Sequence, residues 1–324
     1  ECINLHQTHE IIRLIRTLTD FYSDEVFLIT ETNIPNRENL SYFGNRNEAH
    51  LVYNFALPPL ILYTLLNGIS EKIKQWLMGM PPAIFGTTYF NFIASHDGIG
   101  LRPIEEILTE EEIDMLAKNI EGSGGKVSYR TKENSQRPYE LNIALFDALK
   151  LHVKDGDDGY QEARFISAHT IMLSLEGIPA FYIHSLIATQ NDYEKVKHSG
   201  QNRGINRHQW QMQELEQILL GENHHSRMFY ELLRLIGIRK HQRAFHPNAT
   251  QFTLDLGDRV LALWRQSLDR TQSIFSIHNI SNQKIAMQLS DLNLIETDNW
   301  VDLISETKLA RSHGELILSP YQSM

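Results

Sequence analysis

Two apolar runs in this 324-residue chain end in residues able to do acid–base work. Val26-Phe27-Leu28-Ile29 stops at Thr30-Glu31-Thr32-Asn33, and Tyr89-Phe90-Asn91-Phe92-Ile93-Ala94 stops at Ser95-His96-Asp97-Gly98. A carboxylate directly after an apolar strand is carried by a rigid element, and in β/α folds the C-terminal strand ends form the active-site rim. Two carboxylates and a histidine on one rim suit cleavage of a glycosidic bond. One acid protonates the leaving oxygen and further carboxylate charge stabilises an oxocarbenium-like transition state. The alternative at this level is that Glu31 and Asp97 only cap the helices that follow. A third polar stretch, Asn202-Arg203-Gly204-Ile205-Asn206-Arg207-His208, lies past another apolar run, and its Arg203 and Arg207 are natural anion contacts or else members of surface ion pairs.

Other chemistries fit less well. Gly122-Ser123-Gly124-Gly125-Lys126 looks like a phosphate loop, but Ile120 and Val127 stand where Walker A needs Gly and Ser or Thr. His6 with His9, and His224-His225, lack a carboxylate or cysteine at ligand spacing, so no metal is expected. The single cysteine, Cys2, rules out an intramolecular disulfide and a cysteine-based zinc cage. Lys plus Arg at 30 against Asp plus Glu at 40 gives a net charge of −10, which argues against nucleic acid and for a small polar partner. The apolar runs are too short to span a membrane, and a soluble, cytoplasmic protein is expected.

The elements that must hold these residues can be read from periodicity. Thr8 is a plausible N-cap for a helix with Ile11, Ile12, Ile15 and Leu18 on one face. His50-Leu51-Val52-Tyr53 reads as a second strand, followed by a helix opened by Pro58-Pro59 and ended by Gly68. The run ending at Ala94 is a third strand. Thr109 with Glu112 forms a capping box for a helix to about residue 120, and a helix from Tyr160 to Leu175 leads into a fourth strand, Ile178 to Ile183. Strands alternating with helices predict an α/β fold with a parallel sheet. After the helix from Met228 to Lys240, short alternating runs from about residue 246 predict a small antiparallel all-β domain.

At the motif level the chain resembles the sucrose phosphorylase group of glycoside hydrolase family 13, the α-amylase family. The resemblance rests on Ile29-Thr30-Glu31-Thr32-Asn33, Ser41-Tyr42-Phe43-Gly44, Asn47-Glu48-Ala49-His50 and Leu57-Pro58-Pro59-Leu60. It continues through Ser95-His96-Asp97-Gly98-Ile99-Gly100, Pro138-Tyr139-Glu140-Leu141-Asn142, Gly177-Ile178-Pro179-Ala180-Phe181-Tyr182 and Gly204-Ile205-Asn206-Arg207-His208. It implies a (β/α)8 TIM barrel in which the four strands are the fifth to eighth, so that residues 1–245 are the C-terminal half of the barrel and 246–324 the β domain. Glu31 then matches the general acid/base, Asp97 the transition-state-stabilising aspartate and His96 the neighbouring sugar-binding histidine. Arg207 falls in the stretch lining the acceptor and phosphate side. Tyr139 and Glu140 fall in a mobile loop that selects between sugar acceptor and phosphate. Sucrose phosphorylases carry Gln after that Tyr, so Glu140 places the chain nearer the glucosylglycerate phosphorylase side of the group.

The implied reaction is retaining phosphorolysis of an α-glucoside, with inorganic phosphate as co-substrate and no organic cofactor. Its nucleophile would be an aspartate in an Arg-Leu-Asp-Ala-like motif before the first helix, and no such motif occurs in the sequence. With Glu1 rather than Met at position 1, the expectation is a chain that begins mid-fold, inactive alone and prone to pair through an open barrel edge, as in a homodimer. Two other readings remain open: a hydrolase or transglucosylase of the same family, and a non-catalytic carbohydrate-binding or interaction protein.

Overall fold

The computed structural model describes residues 2–23, 25–132, 135–292, 300–309 and 315–324. Glu1 lies outside them. The first helix, α1 (His6–Tyr22), starts two residues before Thr8: Leu5 is the extended N-cap residue, and the Thr8 hydroxyl donates to the Cys2 carbonyl instead of capping. Of the four residues expected on its apolar face, only Ile12 packs inward, against the small cluster around Tyr42. Ile11, Ile15 and Leu18 are exposed, as are Leu14 and Phe21.

The central sheet is parallel and runs in chain order: β1 (Ile29–Thr30), β2 (Leu51–Tyr53), β3 (Thr88–Asn91) and β4 (Ile178–Pro179). Ile29 pairs with Leu51, Val52 with Tyr89 and Phe90 with Ile178. All four expected strands are present, but each is shorter than its apolar run. Val26, Phe27 and Leu28 precede the pairing, and Ile183 opens a short helix, Ile183–Leu186, rather than closing β4. An apolar run marks residues that can be buried, and its paired part is set by the neighbouring strand; Val26, Phe27 and Ile29 are exposed. β1 and β4 are the two edges of this sheet.

α2 (Leu57–Asn67) and α3 (Glu110–Gly122) follow their local signals closely. In α2, Leu57 to Leu66 are buried without exception, which marks a helix enclosed on all sides. It begins with Pro58 and Pro59 in its first turn and ends at Gly68, whose φ of 67° lets its N–H reach the Thr64 carbonyl at 2.9 Å. Both halves of the capping box form at α3 (Glu110–Gly122): Glu112 N donates to Thr109 Oγ1 at 3.2 Å and Thr109 N to Glu112 Oε2 at 2.8 Å. α4 (Gln161–Ser174) and α5 (His224–Lys240) complete the packing behind the sheet. Several elements have no counterpart in the sequence analysis, among them the helices Glu71–Gly79 and Met212–Leu220 and an antiparallel hairpin of Lys126–Lys132 with Ser135–Asn142.

Beyond α5 come β5 (Thr250–Leu254), β6 (Val260–Gln266) and β7 (Ser273–Asn279), an antiparallel sheet, and the pair β8 (Ile285–Gln288) and β9 (Glu315–Leu318). β6 uses its two-residue period to serve two cores. Leu261 and Leu263 join the large cluster that contains α2 and α4, whereas Val260 and Ala262 face a smaller cluster with Ile277 and Leu318.

Two histidines are sealed into this packing. His169 on α4 lies between Phe165 and Phe181, and His278 on β7 bonds Ser174 and Ser323; burial pushes their pKa values down to about 4 and about 3. Each takes up a proton near pH 6.5 only when the chain unfolds, so stability falls as pH drops below that value and levels off only near the folded-state pKa. The slope expected is roughly 1.4 kcal/mol per pH unit for each histidine in that window. Urea unfolding at pH 7, 6 and 5 should show it, and His278→Gln should flatten the dependence; an equal slope in the variant would count against this account.

Candidate active site

Asp97 sits in the loop after β3 and collects partners from that loop and from the segment 203–207. Ser95 Oγ accepts from its backbone N–H at 3.1 Å, and Asn206 Nδ2 donates to the carbonyls of Ser95 and Asp97 at 3.1 and 2.9 Å. Its Oδ1 accepts from Arg203 Nη1 at 2.7 Å and from Arg207 Nη2 at 3.1 Å, with His96 Nε2 at 3.7 Å. Arg207 also donates through Nε to the His96 carbonyl at 2.6 Å. Two cations on one carboxylate oxygen hold that oxygen in place by charge-assisted bonds.

Arg203 and Arg207 come from the 3-10 helix Asn202–Asn206 and the residue after it. Asp192 anchors this turn: its N–H donates to the Ile205 carbonyl at 2.8 Å and its carboxylate bonds His208 Nδ1 at 2.7 Å while capping the helix Tyr193–Ser199 through Lys195 N. Lys195 Nζ donates to the Arg207 carbonyl. The arginines, expected as anion contacts or ion-pair members, are ion-paired.

Tyr139 and Glu140 are expected in a mobile loop, but both stand on the strand Ser135–Asn142. Glu140 is buried and takes Arg203 Nε on Oε1 at 3.0 Å and Nη2 on Oε2 at 2.6 Å. The Glu140 hydrogen bonds push the Arg203 pKa above its ordinary value. Two glycines make the packing sterically workable. A Cβ on Gly98 would lie 2.4 Å from Glu140 Cγ, and one on Gly100 2.3 Å from Asn33 Nδ2.

Glu31 is the residue just past β1, exposed, with no hydrogen bond or ion pair among the described residues. Burial and then the Glu31 carboxylate push the Tyr53 hydroxyl pKa up. β2 lies between β1 and β3, so the strands leading to Glu31 and Asp97 are roughly 10 Å apart. Neither residue caps a helix; the elements after them are capped by Pro35 and Leu101. Among the described residues no group of three or more His, Cys, Asp or Glu could hold a metal ion.

Several polar residues of the rim escape a sequence reading. Asn206 ties the Arg turn to the Asp97 loop, and the Tyr182 hydroxyl donates to the Asn206 carbonyl at 2.8 Å, with Arg207 and Asp97 in electrostatic range. Ser128 Oγ accepts from Asn142 Nδ2 at 3.0 Å and Asn202 Nδ2 at 3.4 Å, a second tie between hairpin and Arg turn. At the strand ends Asn54 Nδ2 donates to Asn91 Oδ1 at 3.0 Å. Adjacency to Arg207 within one motif is a signal for Asn206; nothing in the sequence marks Ser128.

Aligned with known proteins, the chain is 37% identical over 328 residues to glucosylglycerate phosphorylase of Escherichia coli, a match covering all of this chain and 56% of that protein. The chain is a homologue of the glucosylglycerate phosphorylases. A glucosylglycerate phosphorylase of Spirochaeta thermophila is 38% identical over 87% of this chain and 48% of its own length. The sucrose phosphorylase of Streptococcus mutans is 32% identical over 51% of this chain and 32% of its own. The chain thus spans about half the length of the curated relatives it matches. No protein-family model matches it. Among solved structures, sucrose 6F-phosphate phosphorylase from Thermoanaerobacter thermosaccharolyticum superposes with a TM-score of 0.70 at 22% identity, covering 85% of this chain and 50% of that one. An α-amylase from H. orenii superposes at 0.61 and 12% identity, covering 98% and 56%. The fold is shared with both of these structures. No described helix is long and apolar enough to cross a membrane.

Proposed function

We propose that this chain is the acid/base side of a retaining glycoside phosphorylase that converts an α-glucoside of the glucosylglycerate type and phosphate into α-glucose 1-phosphate and the free acceptor. The observation that carries the reading is the alignment of its whole length with glucosylglycerate phosphorylases. In the same reading β1 to β4 are the fifth to eighth strands of a (β/α)8 barrel; the open parallel sheet and the exposed apolar face of α1 support it. Glu31 protonates the glycosidic oxygen while an aspartate outside this sequence attacks the anomeric carbon. A phosphate oxygen then displaces the enzyme from the glucosyl carbon, Glu31 taking the proton, so that two inversions give net retention. Asp97 and His96 hold the sugar, Tyr139 flanks the acceptor, and the co-substrate is phosphate with no organic cofactor.

The test is a chimera in which this chain replaces the matched 328 residues of the E. coli relative. With glucosylglycerate and phosphate the chimera should release α-glucose 1-phosphate and the chain alone should release none. Free glucose formed independently of phosphate would assign a hydrolase instead, and turnover by the chain alone would overturn the reading.

A further inference from the structure

Arg203 and Arg207 reach the same oxygen, Asp97 Oδ1, but they are held differently. Arg203 has one N–H of every nitrogen committed: Nε and Nη2 to the two oxygens of Glu140, and Nη1 to Asp97. Arg207 has Nε on the His96 carbonyl and Nη2 on Asp97, and its Nη1 has no partner among the described residues. Glu140 is buried and its side chain closes over Gly98, so its carboxylate has little freedom to move away from the guanidinium.

We propose that Glu140 is a positioning residue that acts on Asp97 through Arg203, and that Arg207 is the rim cation left to receive an oxyanion. The planar fork of an arginine matches a carboxylate in two parallel bonds, a geometry that a lysine or an amide does not reproduce. Pulling Arg203 away would leave Glu140 charged, buried and unpaired, which is strongly unfavourable. An incoming anion therefore does not displace Glu140. Arg207, whose partners are a backbone carbonyl and an oxygen shared with Arg203, has a whole Nη1 to offer. The Ser128–Asn202 contact holds the same turn to the same hairpin, so the position of Arg203 is fixed at two points. Only the choice of oxyanion, inorganic phosphate or an acceptor carboxylate, rests on the phosphorylase reading; the clamp does not.

The arginine side-chain Nε–Hε signals in NMR report both halves of the proposal on the chain as it exists. Arg203 Hε should exchange slowly with water, and inorganic phosphate, titrated separately from glycerate, should shift the Arg207 signal while leaving Arg203 in place. In Glu140→Gln, nearly the same shape without the charge, Arg203 exchange should quicken at least tenfold and phosphate should then shift both signals. Unchanged Arg203 exchange in the variant overturns the clamp. So does a phosphate shift at Arg203 equal to that at Arg207 in the unmodified chain, a comparison that stands even if the variant does not fold. Failure of the phosphorylase reading looks different: neither arginine answers to phosphate or glycerate, which overturns the anion half, while Arg203 protection still collapses in Glu140→Gln.

Discussion

Glu31→Gln in the chimera is expected to lower phosphorolysis of glucosylglycerate by roughly 10³-fold. General acid assistance contributes about 10²–10⁴-fold to such reactions, and an alkoxide-like leaving group depends on it heavily. Glutamine keeps the shape of Glu31 and cannot donate an acidic proton. A donor whose leaving group departs without a proton, α-glucosyl fluoride, separates this role from a structural one. The first displacement no longer needs Glu31, and phosphate arrives already anionic, so the variant should lose only about tenfold with that donor. Asp97→Asn should behave otherwise, losing comparable activity with both donors, because oxocarbenium charge develops whichever group leaves. Initial rates with the two donors and two variants decide the assignment. A Glu31→Gln chimera within tenfold of the parent on glucosylglycerate would remove Glu31 from the acid/base role.

Glu31 also shows why half of a site can be legible while its environment is not. The run from Val26 to Ile29 followed by a carboxylate told where the residue would stand, because strand ends are fixed by local pattern and parallel pairing. It could not tell that Glu31 would be exposed. A general acid active near neutral pH needs cover from solvent and neighbouring charge, and in the proposed enzyme that cover comes from the sugar and from strands outside this sequence. The same limit applies to α1. Its apolar spacing was plain, but spacing cannot say whether a partner surface is present, and Ile11, Ile15 and Leu18 remain exposed.

The hairpin illustrates the opposite failure. Lys126-Val127-Ser128-Tyr129-Arg130-Thr131-Lys132 carries few large apolar residues, so its strand character comes from pairing with Ser135–Asn142 and not from a buried face of its own. Ion pairs of Arg130 with Glu105 and Arg137 with Glu110 hold it to the segments before and at the start of α3, contacts made at sequence separations that periodicity cannot see. The loop position of Glu140 is what the resemblance implies, and the structure instead buries it on this strand. Capping residues, by contrast, were read correctly at Thr109 and Gly68, where the physics is confined to four neighbouring residues.

A second substitution tests what binds the β-rich end to the helices. Arg265 on β6 is fully buried and donates to the carbonyl of Ser174 at 3.0 Å, the last residue of α4, and to those of His246 and Ala249 at 3.0 and 3.3 Å. Arg239 of α5 serves the same helix end, donating to Leu173 O at 2.8 Å and Gly177 O at 3.1 Å. Two guanidinium groups thus satisfy carbonyls that a helix leaves open at its C-terminus, where its dipole favours positive charge. Burial pulls both pKa values down to about 10, so both remain charged at neutral pH. Arg265→Ala would orphan the buried carbonyls of Ser174 and Ala249, that of His246 keeping the Ala249 N–H, and would leave a cavity; it should destabilise the chain by about 3–5 kcal/mol. Arg265→Met fills much of the volume but still leaves the carbonyls unpaired, so it should recover only part of that loss. Arg265→Lys, with three donors on a flexible stem, should recover more. Alanine at Arg227, which pairs with Glu162 at the surface, should leave the midpoint unmoved. Urea unfolding followed by tryptophan fluorescence measures all four. If Arg265→Ala unfolds within about 1 kcal/mol of the parent, the carbonyls of Ser174 and Ala249 have found water, and the staple is not what holds β6 against α4.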